Sequence, residues 1–212
     1  MFGAKNLIEF LKIGGISMYF LVLCSVIALG VFIERMIFYY KKSRLKREEL
    51  VSKFKEALSE KRIDEFKGFF KANPSPFARV LLTGLENMKS GKEEISTILE
   101  KKIIEEEEEL EKYTSIMGSI SNISVYLGLL GTVLGIIKAF ESIAVTGSSS
   151  VTVVIKGVAE ALTTTAVGLM IAIPTSLAYN YFVKRVEWFV SEMQLTAMDF
   201  IELKNSRKRD EN

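Results

Sequence analysis

Hydrophobic and polar residues are sorted along this chain into blocks. Residues 13–33 carry no charge, and a run of about 20 apolar residues matches one bilayer crossing. A second charge-free run lies between Lys112 and Lys138, and a third apolar run covers roughly 153–182. The pattern predicts an all-α membrane protein with three transmembrane helices, over 13–40, 113–145 and 153–183. Long helices continue into a helical domain over 41–112, and a C-terminal helix and tail follow over 184–212. A signal peptide is the rival reading of the first run. The weak basic segment before it, its length and the dense basic cluster after it favour an uncleaved helix.

Glu34 and Arg35 end that first run, and Tyr39 and Tyr40 suit the membrane interface. Lys41, Lys42, Arg44, Lys46 and Arg47 follow. A basic cluster of this kind marks the cytoplasmic side, so the N-terminus is expected outside and the C-terminus, beyond Lys184 and Arg185, inside. Residues 1–12 read as an external interfacial segment, with Leu7, Ile8, Phe10 and Leu11 on one face and Lys5, Glu9 and Lys12 toward water.

The 41–112 segment is expected to be cytoplasmic and helical. Leu50, Phe54 and Leu58 recur at helical spacing, and Ile63, Phe66 and Phe70 extend an apolar face. Asn73-Pro74-Ser75-Pro76 breaks the chain. Ser75 is placed to cap, and Pro76 to begin, a helix carrying Val80, Leu81 and Leu85 and ending at Ser90-Gly91. From Lys92 a further helix shows no stop until about Val145. The acids at 105–109 and Glu111 fall three or four residues from Lys101, Lys102 or Lys112, as in surface pairs on a solvated helix rather than a cation site.

The second and third spans differ from the first in their small residues. One face of the second holds Ser124, Gly128, Gly131, Thr132, Gly135, Ala139 and Ser142. One face of the third holds Gly157, Ala161, Thr164, Thr165, Gly168, Ala172, Thr175 and Ser176. Small residues let membrane helices approach closely, so Gly128, Gly131, Gly135, Ala161, Gly168 and Ala172 are the expected packing positions. Pro174 removes one backbone donor, which Thr175 and Ser176 can help to accommodate. The uncharged 146–152 stretch is an external turn.

Charge and composition narrow the chemistry. A net charge of +2 gives no bulk attraction to nucleic acid. The chain has no histidine and one cysteine, Cys24, inside an apolar run. That removes the usual proton shuttle, the commonest metal ligand and any His-activated nucleophile, so no enzyme activity, metal or cofactor is expected. Glu160 is the only carboxylate deep in a span, about two turns or ~10 Å from its outer end. Lys156 lies one turn outward. Glu160 is either that lysine's counter-ion or a carboxylate lining a wet pathway. Thr163, Thr164 and Thr165 follow, Thr132 on the second span falls at similar depth, and Thr164 and Lys156 are candidates for polar support. The threonine hydroxyls bond either backbone carbonyls or water in a polar belt. One chain offers only two such helices, so a pore would need several copies in a ring.

The segment 128–140, the Gly157-Val158-Ala159-Glu160-Ala161-Leu162 stretch with Thr165, Gly168, Pro174 and Tyr179-Asn180, and Glu34-Arg35 resemble the TolQ/ExbB branch of the MotA/TolQ/ExbB proton-channel family. The resemblance covers the whole chain. It implies a homopentameric ring in the bacterial inner membrane, among lipid. An ExbD/TolR-like single-span protein dimer would sit within it, with a TonB- or TolA-like protein as a further partner. It also implies that the proton-motive force drives work at the outer membrane, and that Glu160, Thr132 and Thr165 line the ion pathway. The proton-carrying Asp would belong to the partner, and no predicted span here contains Asp. The MotA branch has four membrane helices, against three here. The Thr163-Thr164-Thr165 run is richer than the single Thr of many relatives, which leaves sodium coupling open. A non-conducting membrane scaffold is the alternative from a different class.

Overall fold

A computed structural model describes residues 15–42, 47–60, 67–69, 75–146 and 151–210. Among the described residues the main helices are, in chain order, α1 Gly15–Lys42, α2 Arg47–Glu60, α3 Pro76–Glu86, α4 Lys92–Glu111, α5 Thr114–Thr146 and α6 Val151–Asp210. Among the described residues, three helices are long and apolar enough to cross a membrane, those built on α1, α5 and α6. The expected 1–12 segment, the side chain of Leu58, Ile63, Phe66, Phe70, Asn73-Pro74 and most of the 146–152 turn lie outside what is described.

The chain divides into two compact units. The first comprises residues 1–34 and 113–181, and the second residues 35–112 and 182–212. In the first unit α5 and the N-terminal part of α6 run antiparallel in close contact. A Cβ added at Gly135 would meet the Ala161 Cβ at 2.7 Å, at Gly157 the Ala139 Cβ at 2.6 Å, and at Gly168 the Ser124 carbonyl oxygen at 2.5 Å. One added at Gly131 would collide with the Thr164 side chain. The small residues therefore bring the backbones together, as small-residue faces do in lipid, where apolar burial supplies little drive for association. Ser121 reinforces the contact by donating to the Ala172 carbonyl at 3.1 Å. Pro174 leaves α6 continuous, and Thr175 beside it donates to the Ile171 carbonyl at 2.7 Å.

The second unit has an aromatic core. Phe182, Val186, Phe189, Met193, Ala197 and Phe200 of α6 recur every three or four residues and are all buried. Phe189 stacks on Phe77 of α3 at 5.7 Å, and Phe200 on Phe54 of α2 at 5.2 Å. The C-terminal part of α6, expected only as a helix and tail, thus supplies a main side of this core. Val80, Leu81 and Leu85 are buried as their spacing predicts. The Ser75 hydroxyl accepts from the Ala78 N–H at 3.1 Å, with Pro76 opening the helix.

Three expectations need correction here. First, α3 stops at Glu86, before Ser90-Gly91: Asn87 leaves the helical conformation at φ −108°, ψ 30°, its N–H is shared between the Thr83 and Gly84 carbonyls, and its side-chain amide also donates to Thr83. Gly91 instead precedes α4, and its N–H donates to Glu94. Second, the helix from Lys92 is not continuous. It ends at Glu111, and Tyr113 adopts φ 67°, a conformation unfavourable for a bulky residue. The Leu110 carbonyl, which a continuing helix would offer to the Thr114 N–H, accepts instead from the Tyr39 hydroxyl at 2.8 Å and Arg35 Nη1 at 3.3 Å. Side chains inserted into the backbone ladder are a known cause of helix interruption. Third, the acidic run is not uniformly solvated. Glu106 is 2% exposed. It pairs with Arg79 of α3 at 2.5 Å and with Lys102 at 3.2 Å.

Candidate functional site

The first unit holds a cavity of about 300 Å³. Glu160, Lys156, Thr164 and Ala161 of α6 line it, with Gly131, Gly135, Lys138 and Ser142 of α5 and Gly15 to Ser17 at the start of α1. Glu160 is 34% exposed and Lys156 79% exposed, and their charged atoms lie 4.0 Å apart. That is the outer limit of an ion pair between one half-buried and one open group, and such a pair is weak in water. Its geometry leaves the carboxylate largely available for other partners.

The hydroxyl candidates separate. Thr164 lines the cavity and donates to the Glu160 carbonyl at 3.3 Å, the back-bond of a helical threonine. Thr165 points across the helix pair and donates to the Gly128 carbonyl at 2.8 Å. Thr132 donates to the neighbouring Leu129 carbonyl at 2.6 Å. Two successive carbonyls of α5 are therefore each covered by a threonine hydroxyl, one from α6 and one from α5 itself. Gly131 faces Thr164, so Thr132, Thr164 and Thr165 lie at nearly one level. Neither Thr132 nor Thr165 borders the Glu160 cavity. Gly128, Gly131, Ala161, Gly168 and Ala172 are buried and Gly135 half-buried along the α5–α6 contact.

Thr165→Val keeps the side-chain shape but strips the Gly128 carbonyl of its interhelical donor. It is expected to destabilise the first unit by about 1 kcal/mol. Thr132→Val, which removes only a bond within its own helix, should cost less. Thermal melting of the two variants in detergent checks the order; equal or reversed losses would make the interhelical bond unimportant.

Sequence reasoning missed Lys138, which entered only as the end of a charge-free run. Its spacing, three residues from Gly135 and seven from Gly131, already places it on the small-residue face. It also missed Ser17, which is 2% exposed and whose hydroxyl has no hydrogen-bond partner among the described residues. Among the described residues no cluster of three metal-ligating side chains occurs.

Taken together, three membrane-length helices, a close small-residue contact and one carboxylate in a polar cavity within the span define a multi-pass membrane protein built around a polar intramembrane site. Comparison with known proteins gives this class a family. The pattern of the MotA/TolQ/ExbB proton channel family matches residues 72–195. The biopolymer transport protein ExbB of Salmonella typhimurium is 32% identical over 175 residues, covering 78% of this chain and 71% of the relative. The Tol-Pal system protein TolQ of Pseudomonas aeruginosa is 39% identical over 98 residues, 46% of this chain and 42% of the relative. An ExbB of Aquifex aeolicus is 41% identical over 80 residues, 38% of this chain and 54% of the relative. The chain belongs to the MotA/TolQ/ExbB proton channel family, in its TolQ/ExbB branch.

Proposed function

We propose that this chain is the ring-forming subunit of an ion-driven motor in the bacterial inner membrane, oriented N-terminus out and C-terminus in. By family resemblance the ring has five copies. An ExbD/TolR-like dimer would stand inside it, passing work from the proton-motive force to a TonB- or TolA-like protein and so to the outer membrane. Glu160 is the pathway carboxylate of this subunit, Thr132 and Thr165 are its hydroxyls, and the partner brings the Asp. The observation that carries this reading is Glu160 itself: a half-buried acid inside a membrane span, with its nearest ammonium among the described residues, that of Lys156, as far off as 4.0 Å. An unneeded carboxylate there would be costly, which makes a working role the default reading.

Assembly follows from the faces left over. In the isolated chain Leu129, Phe140, Leu162, Met170, Ile173 and Leu177 of α5 and α6 are exposed, as are Ile16, Tyr19, Phe20, Val26 and Leu29 of α1. In the proposed ring, neighbouring copies cover the α5 and α6 faces and lipid covers α1. Purified subunit and partner, co-reconstituted in vesicles, test the reading. A concentration-independent monomer by native mass spectrometry would rule out the ring. No gradient-dependent flux in any state of the partner would favour the scaffold. Flux that follows a sodium gradient would reassign the coupling ion.

A further inference from the structure

The cavity beside Glu160 carries more positive than negative character. The α1 helix begins there: Gly15 has φ +58°, which an α-helix does not carry, and Gly15, Ile16 and Ser17 all line the cavity. The first backbone N–H groups of a helix have no partner within it, and its N-terminus carries roughly half a positive charge. Lys138 stands beside this end, its ammonium 3.6 Å from where a Gly15 Cβ would lie. Lys138 forms no ion pair among the described residues, and Lys156 adds a second ammonium. Against these stands the single carboxylate of Glu160. A cation next to a helix N-terminus is unfavourable unless an anion lies between them. The Ser17 hydroxyl in the first turn is 2% exposed and has no partner among the described residues, so one donor here waits for an acceptor.

We propose that this cavity is a binding site for a phosphate group, held by Lys138, Lys156 and the first turn of α1. Helix N-termini and ammonium groups are the ordinary recognition chemistry of phosphate. At about 300 Å³ the cavity has room for a phosphate and several waters. A phospholipid headgroup and free inorganic phosphate share this chemistry. Once bound, the phosphate takes over the two lysines and relieves Glu160 of their charge. The site stands independently of ion conduction.

Native mass spectrometry of the full-length protein, purified in detergent and offered phosphatidylglycerol or phosphatidylcholine, tests a lipid source. Melting of lipid-free protein with added inorganic phosphate, against chloride at equal ionic strength, tests the free anion. Wild type should retain phosphatidylglycerol several-fold better than phosphatidylcholine, or gain thermal stability from phosphate; whichever responds identifies the source. Lys138→Gln with Lys156→Gln should abolish the response, and Lys138→Arg should keep it. Glu160→Gln should strengthen it by removing the competing negative charge, even where that variant conducts poorly. No preference between the lipids together with no effect of phosphate would overturn the site, as would a response unchanged in the double lysine variant.

Discussion

Gly168→Leu is expected to separate α5 from α6 and abolish assembly of the proposed ring. Its Cβ alone would lie 2.5 Å from the Ser124 carbonyl oxygen and 3.0 Å from the Gly128 Cα. Both neighbours are backbone atoms of a continuous helix, so neither can swing aside as a side-chain tip would. Overpacking typically costs about 1–3 kcal/mol where side chains can yield, and the rigid backbone here places the cost above about 3 kcal/mol. Gly131→Leu meets the Thr164 side chain instead, which can rotate, and should cost less. Ile27→Leu, on an exposed part of α1, should be nearly silent. Yields of monodisperse, assembled protein and melting temperatures in detergent compare the three. Equal behaviour of Gly168→Leu and Ile27→Leu would remove the small-residue contact from the account.

The second large effect is expected in the other unit. Arg79 joins Glu106 and Glu109, Lys102 also reaches Glu106, and Lys42 also reaches Glu109, at 2.5–3.2 Å. Glu106→Gln leaves Arg79, about 70% buried, without its most buried counter-charge. Removing one partner of a buried pair costs about 3–5 kcal/mol, and the partial exposure of Arg79 lowers this to about 2–3 kcal/mol. The network also sets a pH dependence. Burial alone would raise the Glu109 carboxyl, but Arg79 and Lys42 outweigh it and hold it below the usual carboxylate range. Its stabilisation is therefore present above the unfolded carboxylate pKa and is lost as pH falls through the depressed folded value. Burial alone would lower Lys102, but its hydrogen bonds to Glu105 and Glu106 and their charges raise it. That contribution is complete below the unfolded value near 10.5 and disappears as pH rises through the folded one. Glu109→Gln should flatten the acid limb of melting temperature against pH. A limb as steep as that of wild type would assign acid sensitivity elsewhere.

What the sequence shows clearly is what local periodicity and chain chemistry decide. The three spans follow from uncharged length, the α3 start from Ser75-Pro76, and its buried side from Val80, Leu81 and Leu85. The α5–α6 contact follows from the glycine spacing, because glycine has few other uses in the middle of a span. The missing parts are set by distant partners. The break at Tyr113 depends on Arg35 and Tyr39, which lie 75 and 71 residues before the Leu110 they contact. Helical spacing puts Glu106 on the face of Leu99, Ile103 and Leu110, but that its charge is paired there depends on the approach of Arg79 on α3. Lys138 joins Glu160 only through the antiparallel register of α5 and α6, which fixes which residues share a level. The stripe from Phe182 to Phe200 has helical spacing but reads from the sequence only as a helix and tail, because its partners Phe54 and Phe77 come from helices that only the fold brings together.

The role of Glu160 rests on whether its charge serves the ion or only Lys156. Gradient-driven flux through vesicles holding this protein and the ExbD/TolR-like single-span protein proposed as its partner decides between them, measured for Glu160→Gln, Glu160→Asp and the double variant Glu160→Gln with Lys156→Gln. A pathway carboxylate predicts that Glu160→Gln assembles normally but conducts poorly, that Glu160→Asp keeps part of the flux, and that the double variant stays poor. The 4.0 Å separation and the 79% exposure of Lys156 favour this outcome, since an open ammonium is not stranded by loss of its partner. Failed assembly in Glu160→Gln, with assembly and flux both restored in the double variant, would contradict the account and leave Glu160 a counter-ion.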